Sequence, residues 1–227
     1  MKAMILAAGR GERMRPLTDK LPKPLLEAGG KPLIVWQIER LAAAGVRDFV
    51  INLAHLGHLI EAALGDGRHY GVSIAYSHEA EALDTAGGVA NALPLLGTGP
   101  FLLASGDVYA EYDYAPLLGV AQALATGGRV GHLVMVETPV APPYNFLLDA
   151  ASGLVTEGHT PRYTFAGIGA FQPALFDGIG RGARAPLLPL LRDGIAGRAL
   201  GGERFAGYYE NLTTPADLTA LDRKLRG

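Results

Sequence analysis

Positive charge is concentrated near the start of the chain, in a pattern suited to holding an anion. The stretch from Ile5 to Thr18, ILAAGRGERMRPLT, ends an apolar run in two glycines and three arginines. From Arg10 to Lys23 the sequence carries Arg10, Arg13, Arg15, Lys20 and Lys23 against Glu12 and Asp19, a local +3 in a chain of formal net charge −2. Glycines let backbone N–H groups approach a phosphate, and guanidinium groups match its oxygens in a planar fork. Lys23 stands between Pro22 and Pro24, which restrict its backbone and help to aim it. As a turn lysine it is expected to contribute little to a core. Asp107 follows an apolar run and a glycine, where a carboxylate can face a cleft and bind a hard cation. Thr85, Ala86, Gly87 and Gly88 offer backbone groups at the start of a helical pattern, with room for close approach.

Such residues need a frame. Residues 2–8 read as a buried strand, 33–44 as a helix closed by Gly45, 48–53 as a strand and 56–64 as a helix closed by Gly65. Residues 72–76 read as a strand, 88–96 as a helix and 101–105 as a strand. This alternation implies an α/β fold, with parallel strands covered by helices on both faces. Ligands in such sheets sit beyond the carboxyl ends of the strands, which is where the glycine–arginine stretch falls. After Tyr112 the rhythm changes. Residues 114–126 read as a helix and 130–137 as a strand; 145–149, 153–157 and 163–171 read as antiparallel strands, and 186–196 as a helix. Thr214-Pro215-Ala216-Asp217 sets a hydroxyl at the N-cap, proline at the first position and a carboxylate in the first turn of a closing helix.

The bulk numbers narrow the function classes. With 227 residues, 49% hydrophobic and 19% charged, the chain suits one compact unit, and no linker interrupts it, so a single domain 1–227 is expected. The small net charge provides no overall field toward nucleic acid or a membrane. The absence of cysteine excludes disulfides, thiolate metal sites and a cysteine nucleophile. No stretch reaches the roughly 18 apolar residues of a membrane span, and the first apolar run is too short for a signal-peptide core. A cytoplasmic protein is expected. His55, His58 and Glu61 have helical spacing, but without cysteines or a nearby fourth ligand they are not read as a zinc site. Trp36 and Phe49 read as core.

Three phosphate-binding patterns can be tested against the glycines. A Walker loop fails, because Gly29-Gly30-Lys31 is followed by Pro32 instead of a hydroxyl residue. A dinucleotide fingerprint fails, because Gly9-x-Gly11 is followed by Met14 and Pro16 interrupts the helix that should begin there. A protein kinase loop lacks its HRD and DFG partners. The pattern that fits is longer. LAAGRGERMRPLT followed by PKPLL resembles the signature of the sugar-1-phosphate nucleotidyltransferases, GxGxRxxPxT…PKP, through Gly9, Gly11, Arg13, Pro16, Thr18 and Pro22-Lys23-Pro24. LDTAGGV, LLASGDVY, FAGIGAF and YYENLTTPADL resemble later segments of the same family, so the likeness covers nearly the whole chain.

That resemblance implies a Rossmann-like, mixed, mostly parallel sheet with helices on both faces and a small antiparallel sugar-binding portion. Residues 1–112 would be the nucleotide-binding half and 113–227 the sugar-binding half. Ala7, Ala8, Gly9, Gly11, Arg13, Lys23, Thr85, Ala86, Gly87 and Gly88 would hold a nucleoside triphosphate. Arg13, Lys23 and Asp107 would be catalytic, Asn145, Glu157 and Gly167 would meet the sugar, and Asp107 with Asn211 would hold Mg²⁺. Arg10 and Arg15 are left open. Asn211 stands where many members carry aspartate, and Thr213 replaces the usual glycine. The length and the opening sequence resemble most the short N-acetylmuramate α-1-phosphate uridylyltransferases of cell-wall recycling. The implied partners are UTP and a sugar 1-phosphate, with no nucleic acid or membrane, in a monomer or weak homo-oligomer. Guanylyl transfer to a mannose- or heptose-type phosphate stays open, because Glu79 or Glu81 offers an acceptor for the guanine amine. So does a regulatory protein that binds nucleotide sugars without catalysis.

Overall fold

A computed structural model describes residues 1–137, 146–158 and 163–227. Its frame is a nine-stranded sheet in the order β5-β4-β1-β6-β11-β8-β12-β10-β9. The strands are β1 Lys2–Leu6, β4 Asp48–Leu53, β5 Ser73–His78, β6 Phe101–Ser105, β8 Gly131–Glu137, β9 Phe146–Asp149, β10 Leu154–Glu157, β11 Tyr163–Phe171 and β12 Leu200–Arg204. Four strands of the first half are parallel neighbours, and β12 lies parallel to β8. Only β11 and β10 run against the rest, each antiparallel to the strands on either side. The sheet is therefore mixed and mostly parallel, and the β6–β11 pairing carries it unbroken from the first half of the chain into the second.

Alternating side chains explain why helices cover both faces. Along β1, Ala3 and Ile5 enter one core while Met4 enters the other; along β6, Leu102 and Ala104 oppose Phe101 and Leu103. The first core takes the apolar stripes of α1 (Leu33–Ala43), α2 (Gly57–Leu64) and α4 (Ala115–Leu124). The second takes α3 (Asp84–Leu96) and α5 (Leu187–Ala196). A smaller third core joins α6 (Pro215–Arg226) to the hairpin of β2 (Glu27–Ala28) and β3 (Lys31–Pro32), and it includes the fully buried Met14 of the glycine–arginine stretch.

The structure adds elements that the periodicity did not show. The hairpin β2–β3 and the pair β7 (Val108–Ala110) with β13 (Tyr209–Asn211) consist of strands of two or three residues, too short to show alternation. Strand β12 was not anticipated either, because its LGGER sequence carries two glycines where a strand usually carries side chains. Helix α3 begins at Asp84, a full turn before Gly88, so both glycines of the Thr85–Gly88 stretch lie inside a helix.

Candidate active site

The carboxyl ends of β1, β4, β5 and β6 open onto a cavity of about 750 Å³. Ala7, Ala8, Gly9, Arg10, Gly11 and Arg13 form one wall, and Lys23, Thr85, Asp107 and Arg184 also line it. The folding of the glycine–arginine stretch explains how this wall forms. Gly11 adopts φ +66, a left-handed conformation, and a Cβ there would lie 2.9 Å from the Thr18 methyl carbon and 3.2 Å from Lys23 Cβ. The Thr18 hydroxyl donates to the Gly11 carbonyl at 2.8 Å, and Met14 pins the loop from beneath. Arg13 and Arg10 are left facing the cavity. Arg15 turns away to an exposed ion pair with Asp19 at 2.6 Å. Arg10 also borders a smaller cavity of about 290 Å³ that includes Arg15, Thr18 and His55.

Lys23 and Asp107 meet. The ammonium donates to Asp107 Oδ2 at 2.6 Å, and Lys23 is only 7% exposed, more deeply buried than a turn lysine expected to contribute little to a core. Gly106, beside Asp107, lets the end of β6 come close to the end of β1. Its N–H donates to the Leu6 carbonyl at 2.9 Å, and a Cβ there would sit 3.0 Å from the same oxygen, so the end of β6 presses against the end of β1. Asn211 lies opposite Val108 in the β7–β13 ladder, one residue along from Asp107, and is exposed. Thr213, which replaces the usual glycine, lines the cavity. Its N–H and hydroxyl donate to Asp217 Oδ2 at 2.8 and 2.9 Å, alongside the Thr214 N–H at 2.8 Å. Burial alone would raise the pKa of Asp217, but these donors outweigh it and hold the carboxyl below its ordinary value. The same carboxylate completes the capping box of α6.

The structure places several of the expected site residues away from the cavity lining. Ala86, Gly87 and Gly88 do not line the cavity; all three are buried. Gly87 donates its N–H to the Ala185 carbonyl at 3.0 Å, and a Cβ on it would fall 2.3 Å from the Ala183 carbonyl oxygen. Its backbone group is therefore engaged by the chain segment that carries Arg184. A Cβ on Gly88 would fall 2.8 Å from both Asn52 Nδ2 and Glu79 Oε1. These glycines make room for protein groups, whereas a nucleobase was expected there. Glu157 lies outside the cavity lining, in an exposed ion pair with Arg192 of α5 at 2.9 Å. Gly167 is not in the lining either. With φ +74 at the bulge of β11, it packs over Ser105, where a Cβ would come 2.5 Å from the hydroxyl oxygen. Asn145 lies outside the described residues.

Other lining residues had no role in the sequence reading or a different one. Asn52, next to last in β4, was missed although the carboxyl-end rule could have flagged it, and Glu79, which follows β5, had been raised only as an acceptor for a guanine amine. Asp84 has φ +63, a left-handed value that aspartate tolerates better than most residues, and its carboxylate accepts the Thr85 N–H at 2.7 Å. Arg184 gave no signal; only the pairing of residues 183–185 with the start of α3 delivers it to the cavity. Glu81 is exposed and away from the lining, whereas both oxygens of Glu79 already accept hydrogen bonds.

Comparison with known proteins places this arrangement. Residues 2–147 match the nucleotidyl transferase family. The N-acetylmuramate alpha-1-phosphate uridylyltransferase of Neisseria meningitidis is 48% identical over 218 residues, covering 94% of each chain. The mannose-1-phosphate guanyltransferase of Schizosaccharomyces pombe is 43% identical over 133 residues, covering 57% of this chain and 37% of that one. Among solved structures, a candidate glucose-1-phosphate thymidylyltransferase from Bacillus anthracis in complex with sucrose superposes with a TM-score of 0.85. It shares 20% identity and covers 100% of this chain and 95% of its own, which shows a common fold.

Proposed function

The chain belongs to the nucleotidyl transferase family, and from that premise we propose that it transfers the uridylyl group of UTP to N-acetylmuramate α-1-phosphate. The products are the UDP-sugar and pyrophosphate. The observation that carries this reading is the 48% identity with the Neisseria enzyme, spread over 94% of both chains. A cavity lined by Arg10, Arg13, Lys23 and Arg184 supports it, because every reacting group in this chemistry is anionic.

In the proposed reaction a phosphate oxygen of the sugar 1-phosphate attacks the α-phosphorus of UTP. The bond from that phosphorus to the bridging oxygen breaks, and pyrophosphate leaves with the electron pair. No general base is required, since the attacking oxygen is already ionised, so catalysis rests on placing cations where charge builds up. Arg13 and Arg10 face the triphosphate tail. Lys23, aimed by Asp107, serves the α-phosphate, and Arg184 enters from the second half of the chain toward the sugar phosphate. Asp107, whose carboxylate lines the cavity, would hold Mg²⁺, and Asn211, which pairs in the β7–β13 ladder with the residue after Asp107, would offer it an amide oxygen, both hard donors of the kind this cation takes. When bound, Mg²⁺ would neutralise phosphate charge.

Guanylyl transfer is the second reading, favoured by the mannose-1-phosphate guanyltransferase relatives at 41–44% identity over about half of the chain. The deciding experiment is a pyrophosphate-release assay with UTP, GTP and ATP in competition, each with N-acetylmuramate, mannose and heptose 1-phosphates. A kcat/KM for UTP at least roughly 10² above that for the other triphosphates is expected, because a wrong base leaves buried polar groups unpaired. GTP winning with a mannose- or heptose-type phosphate would replace the substrate assignment. No release with any pair would overturn the enzymatic reading in favour of a nucleotide-sugar-binding protein. Cytoplasmic peptidoglycan recycling is the setting we propose with this reaction. Among the described residues no helix is long and apolar enough to cross a membrane.

A further inference from the structure

Two buried polar side chains at the cavity floor form a chain of hydrogen bonds with an unusual constraint. Asn52 is 3% exposed and Glu79 is 8% exposed, and both line the cavity. Asn52 Oδ1 accepts the backbone N–H of Ala7 at 2.8 Å. Asn52 Nδ2 donates to Glu79 Oε1 at 2.7 Å, and Glu79 Oε2 accepts the backbone N–H of Leu83 at 2.9 Å. The chain thus runs across β1, β4 and β5, and it ties the start of the glycine–arginine wall to the turn that presents Asp84 and Thr85. Gly88 keeps the space open, since a Cβ there would touch both side chains.

Both ends of this chain are N–H donors. The two side chains between them must therefore supply an acceptor at each end and one matched donor–acceptor contact in the middle. One amide and one carboxylate satisfy that requirement. Two amides leave a donor facing a donor, wherever the amides are flipped, and two carboxylates leave acceptor facing acceptor. We infer that Asn52 and Glu79 are positioning residues whose one-way hydrogen-bond chain fixes the triphosphate wall and the Asp84–Thr85 turn relative to each other, so that nucleoside triphosphate binds a preformed site. The inference rests on the nucleotidyl-transfer reading for its ligand, but the hydrogen-bond logic stands on its own.

The order of the two residue types is not essential to this logic, and that gives a sharp test. Exchanging them, as in Asn52→Asp with Glu79→Gln, rebuilds a satisfied chain: the new aspartate accepts from Ala7 and from the glutamine amide, whose oxygen accepts from Leu83. Each single substitution breaks it. Glu79→Gln and Asn52→Asp alone should raise the KM for UTP by about tenfold or more while kcat at saturation changes less, because lost pre-organisation weakens ground state and transition state together. The exchanged pair should recover most of the KM. Hydrogen exchange at the amides of Ala7 and Leu83, measured without substrate, should quicken in the single variants and slow again in the pair. This second readout does not depend on turnover. A wild-type protein inactive with every triphosphate would refute the proposed function, while amide exchange would still judge the hydrogen-bond chain. Should the single variants fail to fold, a folded and active exchanged pair supports the inference. An exchanged pair no better than the worse single variant, or a Glu79→Gln variant with unchanged KM and exchange, overturns it.

Discussion

Replacing Lys23 by methionine removes one ammonium while keeping most of the aliphatic stem, and the structure gives it two separable effects. The first is on stability. Asp107 loses a partner at 2.6 Å, but its side chain is 36% exposed, so water can solvate the carboxylate, whereas the Lys23 side chain is 9% exposed. A loss of about 1 kcal/mol is expected, between the small worth of exposed ion pairs and the larger cost of orphaning a fully buried charge. For a chain of this length that lowers Tm by about 2–4 °C. The second effect is on the reaction. A fixed cation about 4 Å from developing charge is worth about 4 kcal/mol at an effective dielectric constant near 20. Loss of one preorganised donor at such a site typically costs about 10²–10³ in kcat. Pyrophosphate release at saturating UTP and sugar phosphate, with thermal melting of the same preparation, separates the two. A kcat within about fivefold of wild type, well short of that loss, would refute the placement of Lys23 at the reacting phosphate. A Tm fall beyond about 10 °C would show instead that the pair is chiefly structural.

Asp107→Asn should raise the Mg²⁺ concentration for half-maximal activity by about tenfold or more, because a neutral amide holds a hard cation more weakly. Asn211→Asp should preserve or lower it, and an unchanged titration in Asp107→Asn would remove that residue from the metal site. Gly88→Ala should destabilise the fold by about 1–3 kcal/mol, since its methyl group would sit 2.8 Å from Asn52 Nδ2 and Glu79 Oε1. Denaturant melts check this, and an unchanged midpoint would mean that the floor relaxes freely. In the second half of the chain, the hydrogen bond from His132 at 3.2 Å, against the effect of partial burial and with help from Tyr112 at 2.6 Å, holds the Glu203 carboxyl below its ordinary 4.5. A depressed carboxyl pKa adds stability that is complete above the unfolded value and is lost as pH falls through the folded one. Below about pH 4.5 the wild type should therefore lose Tm faster than Glu203→Gln, and parallel acid limbs would contradict the network.

The parts of the site that could be read from sequence are those made by one continuous stretch. The Gly9–Gly11–Arg13 loop and the prolines around Lys23 carry their own backbone constraints, and the structure brings Gly9, Gly11, Arg13 and Lys23 to one cavity as their spacing implied. Strands β1, β4 and β6 were equally plain, because burial on both faces makes them apolar runs, while the edge strand β5 is half exposed and showed only in part. What stayed hidden depends on groups far apart in sequence. Nothing near Lys23 shows that it will be buried against Asp107, and nothing near Glu79 shows that its oxygens will be taken by Asn52 and Leu83.

The glycines at 87 and 88 show how such distant groups escape a sequence reading and how they can be put to use. In sequence, two adjacent glycines at the start of a helix suggest space left for a ligand. In the structure each clears space for a different protein group, one for the Ala183–Ala185 backbone that brings in Arg184, the other for the Asn52–Glu79 pair. A single turn of α3 thereby sets both a cation from the second half of the chain and the floor beneath the first. If that is the reason for the glycines, substitutions at 87 and 88 should fail differently. Gly87→Ala should push the 183–185 segment away and raise the KM of the sugar phosphate, whereas Gly88→Ala should disturb the floor and raise the KM of UTP. Steady-state kinetics with each substrate varied in turn would distinguish the two, and the same KM pattern in both variants would mean that the turn acts only through global stability.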